Sequence, residues 1–219
     1  MRLWLLANAR GFQLVGELVD RVETDKKAVA LTFDDGPTAA YTDELLAVLA
    51  EHGIKATFFV TGAEVERHPA AARKLVLAGH ELGNHAWSHR RLVFKSQAFI
   101  RAEIERTDAA IRQAGFAGDI LFRPPYGKKL LGLPWYLART GRTTVMWDIE
   151  PETDPDVAAD AGRIVTDVLE RARPGSIILL HAMYGGREAT RQALPHLITD
   201  LQQRGFSLVT VSQLRPSNI

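Results

Sequence analysis

Two adjacent carboxylates, Asp34 and Asp35, end an apolar, β-prone run that begins at Ala28, and Gly36-Pro37 stops it. Neighbouring carboxylates repel, so the pair costs stability unless a cation or proton separates their roles, as in an acid/base or metal site. The same Asp-Asp-Gly-Pro run is also sound turn chemistry, in which either Asp accepts backbone N–H bonds. Further on, His85 and His89 in Asn84-His85-Ala86-Trp87-Ser88-His89 are spaced one helical turn apart, so that both rings can reach a single ion. Two imidazoles with one aspartate give three ligands and leave positions open for water and substrate, the layout of a catalytic ion rather than a structural one. Cysteine is absent, so any metal must be held by His, Asp or Glu.

Such side chains need a scaffold that gathers them. From Ala28 onward, short β-prone runs alternate with segments of helical period, the pattern of parallel βα units in an α/β fold. The first strand ends at Asp34-Asp35, and further strands are predicted at 56–60, 80–84, 120–123, 143–147, 176–181 and 206–211. Helices are predicted from Thr42 to Gly53 and at 69–78, 96–114, 130–139, 156–173 and 187–204. Seven strands, each but the first preceded by a helix, fit a distorted (β/α) barrel with about seven parallel strands better than an open sheet. In that geometry the loops after the strands collect on one face. Asp34-Asp35, the two histidines, Arg123, Trp147-Asp148 and His181 would then share one rim, a concentration that a purely structural role does not explain.

The totals narrow the field further. The 219 residues suffice for one sizeable core, and 24% charged with 46% apolar residues is ordinary for a globular chain. A net charge of +1 leaves no broad basic field for a polyanion, which argues against nucleic acid as a partner. No stretch is long and apolar enough to span a bilayer. Residues 1–27 read as an N-terminal extension and 28–219 as the catalytic domain. The opening ten residues look like a signal peptide cut short, with Ala7 and Ala9 in an Ala-x-Ala arrangement. The alternative is a chain whose first residues pack on the domain, cytoplasmic as written.

Four ordered segments then carry a resemblance. Thr32-Phe33-Asp34-Asp35-Gly36-Pro37, His85-Ala86-Trp87-Ser88-His89, Arg123-Pro124-Pro125-Tyr126-Gly127 and Leu179-Leu180-His181 resemble the motifs of the polysaccharide deacetylases, the NodB-homology or carbohydrate esterase family 4 proteins. The resemblance spans roughly 29–214 and implies a metal-dependent N-deacetylase of N-acetylated sugars at the cell envelope. It implies that Asp35, His85 and His89 hold one divalent ion, zinc foremost, with cobalt, nickel or manganese also acceptable. Asp34 becomes the general base, Arg123 the guanidinium that forks it, and His181 the general acid. The Tyr126 backbone N–H would meet the oxyanion, and Leu179 would line the acetyl slot. The expected substrate is a glycan containing N-acetylglucosamine: peptidoglycan, a chitin oligomer or an exopolysaccharide. The alternatives are hydrolysis of another C–N bond, such as a formamide or cyclic amide, or a catalytically silent carbohydrate-binding module.

One segment departs from the family pattern. An Asp-Trp pair is usual after the fifth strand, whereas this chain reads Trp147-Asp148-Ile149-Glu150-Pro151-Glu152-Thr153-Asp154-Pro155. Asp154 is the best positional match for the carboxylate behind His181, with Asp148 and Glu150 as open alternatives. Trp147 or Trp135 would supply the missing aromatic wall, and Lys128 and Lys129 beside the rim could meet an anionic substrate.

Overall fold

The computed structural model describes residues 2–215. In chain order the elements are α1 (Arg2–Asn8), β1 (Leu18–Val19), β2 (Ala28–Asp34), α2 (Thr42–Glu51), β3 (Thr57–Val60), α3 (Gly62–Arg67), α4 (Pro69–Leu77), β4 (Glu81–Asn84) and α5 (Gln97–Gln113). There follow α6 (Gly132–Arg139), β5 (Thr144–Val145), α7 (Pro155–Ala158), α8 (Ala161–Arg171), β6 (Ile177–Leu180), α9 (Glu188–Gln203), β7 (Ser207–Val209) and α10 (Val211–Leu214). Among the described residues no helix is long and apolar enough to cross a membrane.

The strands are parallel and form a ring. β2 pairs with β3 on one edge and β6 on the other, and β3 pairs with β4. From β4 the wall continues through single bridges, Asn84 to Phe122 and Phe122 to Thr144, and returns through Ile149 to Ile178 of β6. This is the distorted (β/α) barrel expected from the alternation of strand and helix signals. β7 shares an edge of β2 with β3, because Ala30 pairs with both Val209 and Ile177, so β7 closes only the lower end.

Two expected strands are much shorter than the sequence suggests. The predicted 120–123 strand contributes only the bridge at Phe122, bonded on one side through Phe122 N to Thr143 O and Val145 N to Phe122 O, and on the other through Asn84 N to Leu121 O and Arg123 N to Asn84 O. Pro124 and Pro125 follow at once, and proline has no N–H to extend the ladder. The 143–147 strand shrinks to Thr144–Val145. Residues 17–22, which fall within the expected extension, fill the resulting gap. Leu18 and Val19 pair with Thr144 and Val145, and Val22 N donates to Gly175 O just before β6. The expected boundary at residue 28 therefore does not separate an appendage from the barrel. The predicted 156–173 helix is likewise two helices, because the Asp160 side chain caps α8 by accepting from Arg163 N.

Strand alternation sorts the core into two layers. Val29, Leu31 and Phe33 of β2, Phe58 and Val60 of β3, and Ile178 and Leu180 of β6 pack with the helices outside. Ala30, Phe59, Ile177 and Leu179 belong to a second cluster that fills the enclosed space. Each buried Val, Leu, Ile or Phe among them contributes about 1.5–3 kcal/mol. By the same period of two, Thr32 and Asp34 point inward with Ala30, and His181 follows Leu179 on the inner face. Val211 and Leu214 of α10 close the far end, where Val211 N donates to Thr57 Oγ1.

Candidate active site

The mouth of the barrel opens into a cleft of ≈ 430 Å³ lined by Asp34, Asp35, His85, His89, Tyr126, Trp147, Leu179 and His181 among others. All of the expected site residues except Arg123 and Asp154 line this cleft, and Arg123 lies directly beneath it.

Arg123 is fully buried and organises the floor. Nη1 donates to both Asp34 Oδ1, at 2.7 Å, and Thr32 Oγ1, at 2.8 Å; Nη2 donates to Met146 O at 3.1 Å and Nε to Val145 O at 3.4 Å. The face of the group lies 4.0 Å from the Phe59 ring centroid. The expected two-pronged fork on Asp34 is thus a single charged hydrogen bond, the other two nitrogens being taken by the backbone of the short β5 side. The buried Arg123 holds Asp34 in one orientation, with Oδ2 left for a proton as a general base needs. The carbonyl of Arg123 also accepts from His85 Nδ1 at 2.7 Å. That bond fixes the tautomer and leaves Nε2 facing the cleft.

His85 and His89 are not on a helix. They sit on a loop in which Ala86 and His89 have φ of 62° and 54°, and Asp35 and Tyr126, at 79° and 58°, share this left-handed region. L side chains rarely adopt it, so four such residues around one cleft mark a backbone held in place by its surroundings. The supports are visible. Asn84 Oδ1 accepts from Ala86 N at 2.8 Å, and the buried Glu103 of α5 accepts from Ser88 N at 2.8 Å and from Ser88 Oγ. Gly127 has φ of 65°, and a Cβ there would meet Trp147 at 2.9 Å, so a larger residue could not hold the turn behind Tyr126.

Asp35, His85 and His89 offer three ligand atoms within 4.8 Å of one another. Asp35 Oδ1 is buried and accepts no hydrogen bond, though it lies 3.5 Å from His85 Nε2 and 3.1 Å from His89 Nε2. Such an orphaned carboxylate oxygen costs stability unless a cation satisfies it. Burial drops His85 to about 3 despite the attraction of Asp35, so its imidazole is neutral, as a ligand must be. The three residues therefore fit a divalent ion of the kind bound by nitrogen and oxygen donors. Asp34 Oδ2, 3.6 Å from His85 Nε2, stays outside this triad in the grip of Arg123.

Across the cleft, His181 Nε2 stands 3.9 Å from Asp35 Oδ2. Its Nδ1 is 2.5 Å from Glu152 Oε2, which also accepts from His181 N at 3.0 Å. The carboxylate behind His181 is therefore Glu152, which the sequence reading passed over. Asp154 instead caps α7, accepting from Asp156 N. Asp148 accepts from Ser176 Oγ and Ile177 N, and Glu150 from Trp147 Nε1 and Arg10. Glu152 lies on the single turn 151–153, and in a run of alternating acids no spacing rule singles it out. Burial disfavours a charged His181, but its hydrogen bond to Glu152 and the charges of Asp34, Glu152 and Asp35 outweigh it and raise the imidazole above its ordinary value. An imidazolium held in this way is an acid within reach of the cleft.

The remaining expectations divide. Trp147 and Leu179 line the cleft, whereas Trp135 lies on α6 beside Arg139, away from it. Tyr126 leans on His89 with ring centroids 4.6 Å apart. Lys128 lines the cleft, but Lys129 is buried and holds the N-terminal segment, its Nζ donating to Ala9 O and its N to Ala7 O.

Comparison with known proteins agrees with this geometry. The family described as "Polysaccharide deacetylase" matches residues 21–145. A chitooligosaccharide deacetylase of Bradyrhizobium sp. (strain ANU 289) is 36% identical over 200 residues, covering 86% of this chain and 90% of its own. The solved structure of a peptidoglycan N-acetylglucosamine deacetylase matches with a TM-score of 0.84 at 32% identity, covering 90% of this chain and 92% of that one. A CE4 family pseudoenzyme from Bacillus anthracis matches nearly as well, with a TM-score of 0.82 at 26% identity over 92% of this chain and 69% of its own. Backbone likeness alone thus does not separate working from silent members, and the side chains in the cleft must. The relatedness extends along nearly the full length of both chains, and the chain belongs to the polysaccharide deacetylase family.

Proposed function

We propose that this protein hydrolyses the acetamide of an N-acetylglucosamine-containing glycan, releasing acetate and a free amine, with zinc as the ion at Asp35, His85 and His89. The observation that supports this reading is the division of the two adjacent aspartates. Asp34 is held by Arg123 at 2.7 Å, while Asp35 turns an unsatisfied oxygen towards two imidazoles. An ion there supplies Lewis acidity and a bound water of lowered pKa.

Asp34 takes the proton from the water as its oxygen attacks the acetamide carbon. The N–H of Tyr126 donates to the developing oxyanion, an interaction worth about 3 kcal/mol when preorganised. His181 gives its proton to the departing nitrogen as the C–N bond breaks, oriented through Nδ1 by Glu152. Leu179 and Trp147 enclose the methyl group, and the Trp147 ring is fixed by its Nε1 bond to Glu150 at 2.8 Å. A polymeric envelope glycan as substrate supports a location at the cell envelope.

Acetate release from chitin oligomers, peptidoglycan fragments and small amides, by chelated and by zinc-restored protein, tests the reading. Release from the glycans alone, lost on chelation and regained with zinc, is expected. Turnover confined to small amides would move the chemistry to another C–N bond, and glycan binding without acetate would make the protein a silent module.

A further inference from the structure

Among the described residues, the charged side chains that line the cleft pair off, Lys128 excepted. Arg123 pairs with Asp34 and Arg10 with Glu150, each at 2.7 Å, while Glu152 faces His181 at 2.5 Å and Arg187 at 3.9 Å. Asp35 faces the imidazoles. Among the described residues Lys128 and Arg91 join none of these ion pairs, and each is held against an aromatic ring instead. The Arg91 guanidinium lies 5.0 Å from the centroid of Tyr126, and Lys128 Nζ lies 5.0 Å from that of Trp4. Tyr126 in turn leans on His89, so Arg91 stands one ring away from an ion-binding side chain, and Lys128 lines the same cleft. Burial first and the Arg91 charge second push the Lys128 ammonium below its ordinary value, so the two cations feel each other. Two cations beside one cleft with no counter-ion repel each other, and an incoming anion relieves that repulsion.

We propose that Arg91 and Lys128 form a subsite for an anionic group, a carboxylate or phosphate on the sugar next to the one being deacetylated, so that acidic glycans are preferred over neutral ones. This rests on the deacetylase reading above. The N-terminal segment contributes to the subsite through Trp4, which fixes Lys128, and Asn8 and Arg10 complete the same wall of the cleft.

The test compares kcat/KM for acetate release, at low and high salt, from three oligomers of equal length: neutral N-acetylglucosamine, one alternating with a uronic acid, and one bearing phosphate. At low salt an acidic oligomer should exceed the neutral one by about tenfold, as two partly exposed charge contacts allow. High salt, or the double substitution Arg91→Gln with Lys128→Gln in protein that melts like the parent, should bring that ratio to about one. The uronic and phosphate arms identify the anion. A ratio near one in the parent, or one unchanged by the double substitution, overturns the subsite while acetate release from the neutral oligomer keeps the deacetylase reading. If no oligomer releases acetate, that reading fails; the same affinity ratio, measured by calorimetry, still decides the subsite.

Discussion

One half of the barrel wall is continuous and the other is stitched. β4, β3, β2 and β6 share multi-residue ladders, whereas the path from Asn84 through Phe122 and Thr144 to Ile149 is joined by single bridges. Asp34, Asp35 and His85 stand at or just past the ends of the continuous strands. Arg123, Trp147, Glu150 and Glu152 come from the stitched half. There, side chains replace the missing ladder: Arg123 bonds Met146 O, Asp148 bonds Ile177 N, and Glu152 bonds His181 N. Strand hydrogen bonds thus fix Asp34, Asp35 and the start of the histidine loop, and buried polar side chains fix the rest of that loop, the acid and the wall of the cleft.

The largest expected effect breaks the continuous half. Asp34→Asn should lower acetate release by about 10²- to 10⁴-fold with the ion retained, because the base is lost but no ligand. Asp35→Asn should lose both, and metal analysis beside turnover separates the two. Equal ion loss in the two variants would erase the division of labour between the aspartates.

In the stitched half, Glu152→Gln should cut kcat on the order of 10²-fold with little change in KM, since it disturbs the acid and not the wall. Asp154→Ala, by contrast, should leave kcat alone and cost about 1 kcal/mol in thermal unfolding, the worth of a helix cap. The reverse pattern would return Asp154 to the site.

Glu103→Ala probes the support of the histidine loop. Removing the acceptor of Ser88 N and Oγ should weaken ion binding by about 10- to 100-fold, read by competition with a chelator, while the fold persists by circular dichroism.

The smallest effect lies below the ladders. Burial, with Lys55 nearby, drops His80 to about 4, and its neutral Nδ1 accepts from Ala56 N. The folded value lies below the ordinary 6.5, so the unfolded chain binds the extra proton first. Stability from this group is full above pH about 6.5 and fades as pH falls towards about 4. His80→Gln should flatten that part of the melting-temperature profile.

Much of the continuous half was legible in the sequence. The β2 run ending at Asp34-Asp35, the apolar β6 ending at His181 and the paired histidines each announce themselves through local patterns of apolar alternation and turn chemistry. The stitched half was not. Residues 120–123 carry a strand signal that only Phe122 fulfils, because the following prolines deny it a ladder. Asp148, Glu150, Glu152 and Asp154 are equivalent to any rule based on spacing. Glu103 and Asn84 read as ordinary helix and strand residues although they pin the histidine loop. The N-terminal segment gave no sign that residues 18–19 would enter the barrel wall.

By itself the sequence determined the element order, the parallel α/β class and the side chains able to bind an ion, since these follow from short-range periodicity and residue chemistry. Only the tertiary structure decided which carboxylate stands behind His181, that Arg123 grips Asp34 with one nitrogen, and that Arg91 and Lys128 have no acidic partner among the described residues. Those outcomes depend on distances between residues far apart in the chain, and on the left-handed turns at Asp35, Ala86, His89 and Tyr126 that packing imposes against local preference.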